Sequence, residues 1–263
     1  PELIEKIFYR HDMNIIGIGV SKQPRPIENS YMPAFLSGYG AARSLAAILR
    51  AELIPISHQE NHLEAGIWSS GFKGSRKFLM LHASGGTTDL LLAEAKATGN
   101  FTLSEIGGSI DLNAGQYVDR VGVALGLQFP AGAELEKLAT QSEEIYSLPV
   151  AVKGCEISLS GPATAALRAL DAGIAPAKIA RGVEYSLAES FARCILNAAK
   201  KHPISDVLLV GGVTANKYIR KHINGKLAEH NIMLYVPDSQ YSSDNAVGCA
   251  AAARKMLEKC DDR

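Results

Sequence analysis

The sequence predicts an α/β protein of two lobes with a ligand held in the cleft between them, and three observations lead there. Stretches that read as strands alternate with helical stretches along both halves of the chain. Each half carries a glycine turn at the end of an apolar strand, Ser84-Gly85-Gly86 and Gly211-Gly212. A helix of small residues, with Ala41, Ala42, Ala46 and Ala47, can pack closely on a sheet. At 263 residues the chain is long enough for two lobes with a core each.

Composition narrows the function classes. Hydrophobic residues make up 47% and charged residues 21%, the balance of an ordinary globular protein. Lys+Arg and Asp+Glu stand at 27 each, so no global basic field draws in nucleic acid or anionic membrane, and any RNA contact must be local. Cys155, Cys194, Cys249 and Cys260 lie far apart, which points away from a zinc ribbon or a disulfide framework and toward a reducing cytoplasm. No apolar run approaches the roughly 20 residues of a membrane helix, and no signal stretch opens the chain. A cytoplasmic protein with no membrane partner is the expectation.

Taken in order, Pro1 followed by Glu2 to Phe8 reads as the first turn of an amphipathic helix with proline at its favoured position. A chain that begins inside a helix, without an initiator methionine, is expected to have lost an upstream segment. Asn14 to Val20 is β-branched and apolar and reads as a buried strand, followed by a loop from Ser21 to Pro26. Gly38 to Leu49 reads as the small-residue helix, and Leu53 to Ile56 as a strand leading into His58-Gln59-Glu60-Asn61-His62. Lys77 to Ala83, the turn Ser84 to Thr87 and the apolar run after Asp89 form a hairpin whose turn amides can hold a phosphate or carboxylate, or can be only a turn. His82, among apolar neighbours, reads as a core histidine. Phe101 to Ile106 adds a third strand to this sheet.

From Asp111 to Ala139 the pattern is helical, broken at Phe129 to Gly132, with Asp111 read as a capping residue and Asp119-Arg120 open to the plain alternative of a solvated charge pair. A turn at Ser158 to Pro162 precedes a helix from Ala163 to Leu170. Ile179, Val183, Leu187, Phe191 and Ile195 mark a long core helix. Asp206 to Val210 is a buried strand ending in Gly211-Gly212 and a helix capped by Thr214, an arrangement that aims backbone amides and a helix dipole at a nucleotide or phosphate. Met233 to Pro237 is a last strand, and Ser242-Ser243-Asp244-Asn245 caps a final small-residue helix from Ala246 to Leu257. Asp244 also stands at a strand-to-helix junction, where a carboxylate can turn into a cleft.

His58 and His62 are four apart, so on a helix they share a face and can grip one metal ion; alternatively they are solvated or core histidines. The ordered set His58-x-Glu60-x-His62, Ser84-Gly85-Gly86-x-Thr88, Ser109-Ile110-Asp111, Ala114-Gly115, Asp119, Gly126-Leu127, Pro130, Gly132, Ser160-Gly161, Gly211-Gly212-Val213-x-Ala215-Asn216 and Ser243-Asp244-Asn245 resembles the tRNA threonylcarbamoyl-adenosine transferase family, once called the O-sialoglycoprotein endopeptidases or glycoproteases. The resemblance runs from about Ser57 to Met256.

It implies an actin-like, sugar-kinase-like ATPase fold, with an incomplete first lobe at 1–75 and 246–263 and a second lobe at 76–245 carrying a helical insertion at about 109–172. It also implies one divalent metal, iron or zinc, on His58, His62 and Asp244, and an adenine nucleotide, either ATP, AMP or threonylcarbamoyl-adenylate. Ala83, Ser84, Gly85, Gly86 and Thr87 would line the acyl and phosphate end. Asp119, Gly132 and Asn216 would hold ribose and adenine over the seat formed by Gly211 and Gly212. The implied reaction is transfer of threonylcarbamoyl to a tRNA adenosine beside the anticodon, with tRNA as a transient partner and further subunits of a modification complex as possible partners. Thr87, Arg120, Ala131, Ala163 and the Lys22 to Pro26 loop depart from the family pattern, and the family's first hairpin has no counterpart here. The departures leave a non-catalytic ATP- and metal-binding paralogue, acting as scaffold or regulator, as the alternative. A metallopeptidase is disfavoured, because the residue after His58 is Gln59 and the only acid in the motif, Glu60, lies about 200° around the helix from His58.

Overall fold

The structure is a computed structural model that describes residues 2–10, 14–96 and 100–261. Pro1, which the sequence places at the helix start, lies outside the described residues. In chain order the elements are α1 (Glu2–Arg10), β1 (Gly17–Gln23), α2 (Pro33–Leu49), β2 (Glu52–Ser57), α3 (His58–Ser70), β3 (Lys77–Ala83), β4 (Thr88–Ala95) and β5 (Phe101–Ser109). There follow α4 (Ala114–Ala124), α5 (Gly132–Ala139), β6 (Ala151–Lys153), β7 (Glu156–Ser158), α6 (Ser160–Asp171), α7 (Pro176–Lys201) and β8 (Asp206–Val210). The last are α8 (Lys217–Ala228), β9 (Met233–Tyr235) and α9 (Val247–Asp261). The residues group into two compact units, Pro1–Glu64 with Ala246–Arg263, and Ala65–Asn245.

In the first unit β1 and β2 run parallel, from Gly17 beside Glu52 to Gln23 beside Ser57. Ile54, Ile56, Cys249, Ala252 and Ala253 form its buried cluster, with Leu257 against it. β1 differs from the buried strand expected at 14–20. It starts later and is only half-buried, because the ladder follows β2 as far as Ser57 and so takes in Ser21, Lys22 and Gln23 before Pro24. α2 starts five residues earlier than expected, at Pro33, whose fixed φ and missing N–H suit a helix's first position.

The second unit holds a mixed sheet of order β6-β7-β5-β4-β3-β8-β9 among the described residues. β3 and β4 form the expected hairpin, paired antiparallel from Lys77 with Glu94 to Ala83 with Thr88, and β8 lies parallel on the other side of β3. Phe78 to Leu81 are wholly buried, as are Val207 to Leu209, which is why both strands read as unbroken apolar runs. α7 supplies Ile179, Val183, Leu187, Phe191 and Ile195 to the core, each fully buried and each worth about 1.5–3 kcal/mol of burial.

Two capping assignments change. α4 is capped not by Asp111 but by Asn113, which forms a capping box with Gln116. Asp111 instead serves the start of α6, 47 to 49 residues on: its carboxylate accepts from Ser158 Oγ at 2.6 Å, Leu159 N at 2.9 Å and Ser160 Oγ at 2.5 Å. Likewise Thr214 does not cap α8. Its hydroxyl donates to Gly211 O at 2.8 Å inside a 3-10 turn, Gly212–Ala215, and Asn216 caps α8 by accepting from Ile219 N at 2.9 Å.

Partial burial acts to raise the Asp111 carboxyl, but bonds from Ser158, Ser160, Leu159 and Leu112 outweigh it and hold the group below the ordinary carboxylate range. A depressed folded value means that the unfolded state binds the proton first, so this contribution is present above the unfolded carboxylate range and lost as pH falls. Asp111→Ala is expected to lower unfolding free energy by about 1–2 kcal/mol at neutral pH and by less in acid, a difference that urea titrations at two pH values measure.

Candidate functional site

Two turns in the second unit come together at the ends of β3 and β8. After Ala83 the chain folds back through Ser84 to Thr87, with Ser84 N donating to Thr87 O at 2.8 Å. α4 docks on this turn, as Gly115 N donates to Ser84 O at 3.0 Å and Ala114 N to Thr88 Oγ1 at 2.8 Å. A Cβ on residue 115 would sit 2.6 Å from Gly85 Cα, so only glycine permits the approach, whereas Gly85 and Gly86 themselves face open space. Gly211, at φ +99°, ends β8 so close to Ala83 that a Cβ would fall 2.2 Å from Ala83 O.

Between these turns and helices α4, α5 and α7 lies a cavity of about 490 Å³. Val118, Leu135, Val183, Leu187 and Ile219 make its wall largely apolar, with a few polar groups set into it, the composition of a small-molecule site. Asp119 Oδ1 accepts from Ala131 N at 2.7 Å, which ties the α4–α5 connection and corrects the reading of Asp119 as a solvated charge. Glu136 Oε1 accepts from Lys217 N at 2.8 Å at the positive end of α8. Glu184 Oε1 accepts from Asn216 Nδ2 at 2.6 Å.

Of the nucleotide residues singled out in the sequence, Gly85, Asp119, Gly132, Gly212 and Asn216 lie on the wall of this one cavity. Ala83, Ser84, Gly86, Thr87 and Gly211 belong to the two turns without being wall residues. Glu136 and Glu184 were missed. Glu136 follows Gly132 by one helical turn, and Glu184 is an acid beside the apolar stripe of α7, which was the available signal.

The histidine helix begins in the first unit. Ser57 and Glu60 close a capping box: Glu60 Oε2 accepts from Ser57 N and from Ser57 Oγ, both at 2.7 Å, and Ser57 Oγ accepts from Glu60 N at 3.2 Å. Asn61 Oδ1 accepts from Cys249 N at 2.8 Å and so anchors α3 to α9. His62 is buried and His58 half-buried, with their Nε2 atoms 3.2 Å apart. Asp244 is exposed in the second unit, in the chain before α9.

A profile of the tRNA N6-adenosine threonylcarbamoyltransferase family matches residues 30–251. The chain belongs to that family. The tRNA N6-adenosine threonylcarbamoyltransferase of Archaeoglobus fulgidus is 29% identical over 258 residues, covering 98% of this chain and 76% of that protein. A probable bifunctional tRNA threonylcarbamoyladenosine biosynthesis protein of Thermoplasma acidophilum is 28% identical over 248 residues, and the chain spans 94% of its own length but 44% of that protein's. Among solved structures, full-length HypF in a phosphate- and nucleotide-bound form superposes with a TM-score of 0.67 at 15% identity, over 100% of this chain and 41% of that one. The fold is the actin-like, sugar-kinase-like ATPase fold.

The histidine pair has the spacing to hold one metal ion. Two nitrogens bound about 2.05 Å from one tetrahedral ion stand about 3.3 Å apart, close to the 3.2 Å between the Nε2 atoms of His58 and His62. Two imidazoles and a carboxylate are a donor set suited to a divalent transition metal.

Proposed function

We propose that this family member transfers the threonylcarbamoyl group from threonylcarbamoyl-adenylate to the amino group of a tRNA adenosine beside the anticodon, releasing AMP. The observation that carries the reading is the cavity itself, in which Gly85, Gly212, Asp119, Gly132 and Asn216 share one wall. The nucleoside occupies the apolar pocket, where Asp119 and Glu136 offer acceptors for ribose hydroxyls and Asn216 addresses the base. The phosphate and acyl end lies toward the turn from Ser84 to Thr87, where Gly85 and Gly86 leave their backbone open to a ligand. Amides there stabilise the oxyanion that develops as the adenosine amine attacks the carbamoyl carbon. His58, His62 and Asp244 would hold the metal, which when bound supplies Lewis acidity toward phosphate oxygens. The amino group of tRNA supplies the nucleophile, so the protein needs none of its own.

The cytoplasm, where tRNA is available as substrate, is the proposed place of action, and other subunits of a modification complex are its proposed partners. Among the described residues no helix is long and apolar enough to cross a membrane. Calorimetric titration with AMP tests the seat: wild type binds, and Gly212→Val, which projects a side chain from the cavity wall, is expected to weaken binding by roughly tenfold or more. Equal affinities would remove the glycine seat.

A second reading, an ATP- and metal-binding paralogue without transfer, draws on Ala163. This residue is fully buried where the family pattern has a lysine, so no cation stands there to meet a phosphate. Nucleotide binding without acyl transfer would favour it. Peptide cleavage is not expected under either reading. Gln59 cannot serve as a base, and the Glu60 carboxylate is committed to the helix cap. Incubation of denatured glycoprotein with the metal-restored protein should release no fragments above a His58→Ala/His62→Ala control.

A further inference from the structure

Glu184 is an acid that the transfer chemistry leaves unused, yet it lies in the cavity wall and is 1% exposed. Both of its oxygens are committed. Oε1 accepts from Asn216 Nδ2 at 2.6 Å and Oε2 from Arg181 Nη1 at 2.6 Å. Arg181 is fixed in turn, with Nη2 donating to Ala139 O at 2.9 Å and the guanidinium 4.5 Å over the Tyr218 ring. At the far end of the Asn216 amide, Oδ1 accepts from Ile219 N at 2.9 Å. The amide is therefore held at both ends in one orientation, with a single Nδ2 hydrogen remaining for whatever fills the cavity.

We propose that Glu184 is a positioning residue: by holding the Asn216 amide it presents one N–H donor to the cavity and so selects a nucleoside with an acceptor at that point, such as a ring nitrogen. The inference deepens the nucleotide reading and rests on it. A glutamine in place of Glu184 cannot do the same, because one end of its own amide would face Arg181 or Asn216 donor to donor.

Ionisation supplies a readout that a merely structural role would not move. Burial pushes the Glu184 carboxyl up to about 7, opposed by the Asn216 bond and by the Arg181 charge on α7 and aided by Glu136 on α5. Tyr218 on α8 is the other titratable group facing it. A protonated carboxyl cannot accept at both oxygens from two N–H donors, so the hold on Asn216 is complete above this range and weakens below it.

The experiment is calorimetry with adenosine, which lacks the phosphate whose second proton titrates near the same pH. Measurements at about pH 5.5 and 8.5 bracket the carboxyl. Wild type is expected to bind more tightly at the higher pH, by roughly tenfold, and E184Q to bind roughly tenfold more weakly there with no pH dependence. In an Asn216→Ala background, Glu184→Gln should add no further loss, since Glu184 acts through the amide. A flat profile in wild type, an E184Q profile like that of wild type, or additive losses in the double variant would each overturn the assignment. Failure of wild type to bind adenosine at either pH would instead overturn the nucleotide reading beneath it.

Discussion

His62→Ala is expected to strip the purified protein of its metal, from near one equivalent to about a tenth of that or less. The Nε2 atoms of His58 and His62 stand 3.2 Å apart on adjacent turns of α3, and the ring of His62 is buried, so no surface side chain can replace it. With one imidazole gone, a lone nitrogen and a carboxylate do not hold a divalent ion against water. Glu60→Ala provides the contrast. It removes the capping box at Ser57 and costs about 1 kcal/mol of stability while leaving the metal bound. Elemental analysis of the two variants separates a ligand from a helix-positioning residue, and wild-type stoichiometry in His62→Ala would remove the histidine pair from the site.

Gly211→Val carries the largest expected effect on folding, about 3–5 kcal/mol in urea titration. Two penalties add. At φ +99° an L side chain is strained by about 1–3 kcal/mol, and a Cβ placed 2.2 Å from Ala83 O forces β8 away from β3 at a cost of similar size. Against a total stability of about 5–15 kcal/mol this is a large fraction. Gly85→Ala, where the added methyl meets nothing within 4 Å, should stay within about 1 kcal/mol of wild type. Similar losses at the two positions would mean that the close approach of Gly211 to Ala83 does not hold the turns together.

The fold was most legible where burial is two-sided and the chain breaks sharply. Lys77 to Ala83 and Asp206 to Val210 read correctly to the residue because each is an apolar run stopped by glycine or serine. β1 was harder. Gly17 and Gly19 give little pattern, and its length is set by its neighbour β2 rather than by its own residues. The caps were misread for a related reason: Asp111 bonds to residues 47 to 49 positions away, and such a contact leaves no periodic trace. In the cavity, motif residues were visible as glycines and acids at turns. Glu184 was hidden because a charge within a core helix reads as surface until Arg181 and Asn216 are seen to enclose it.

The most direct measurement is of the transferred group itself. Metal-restored protein is incubated with threonylcarbamoyl-adenylate and unmodified tRNA, the tRNA is digested to nucleosides, and their masses are determined. The account predicts an adenosine carrying the added threonylcarbamoyl mass, AMP released in equal amount, and loss of both in Gly212→Val and His62→Ala. Unmodified adenosine throughout, with AMP release no greater than in buffer while the protein still binds AMP, would contradict it.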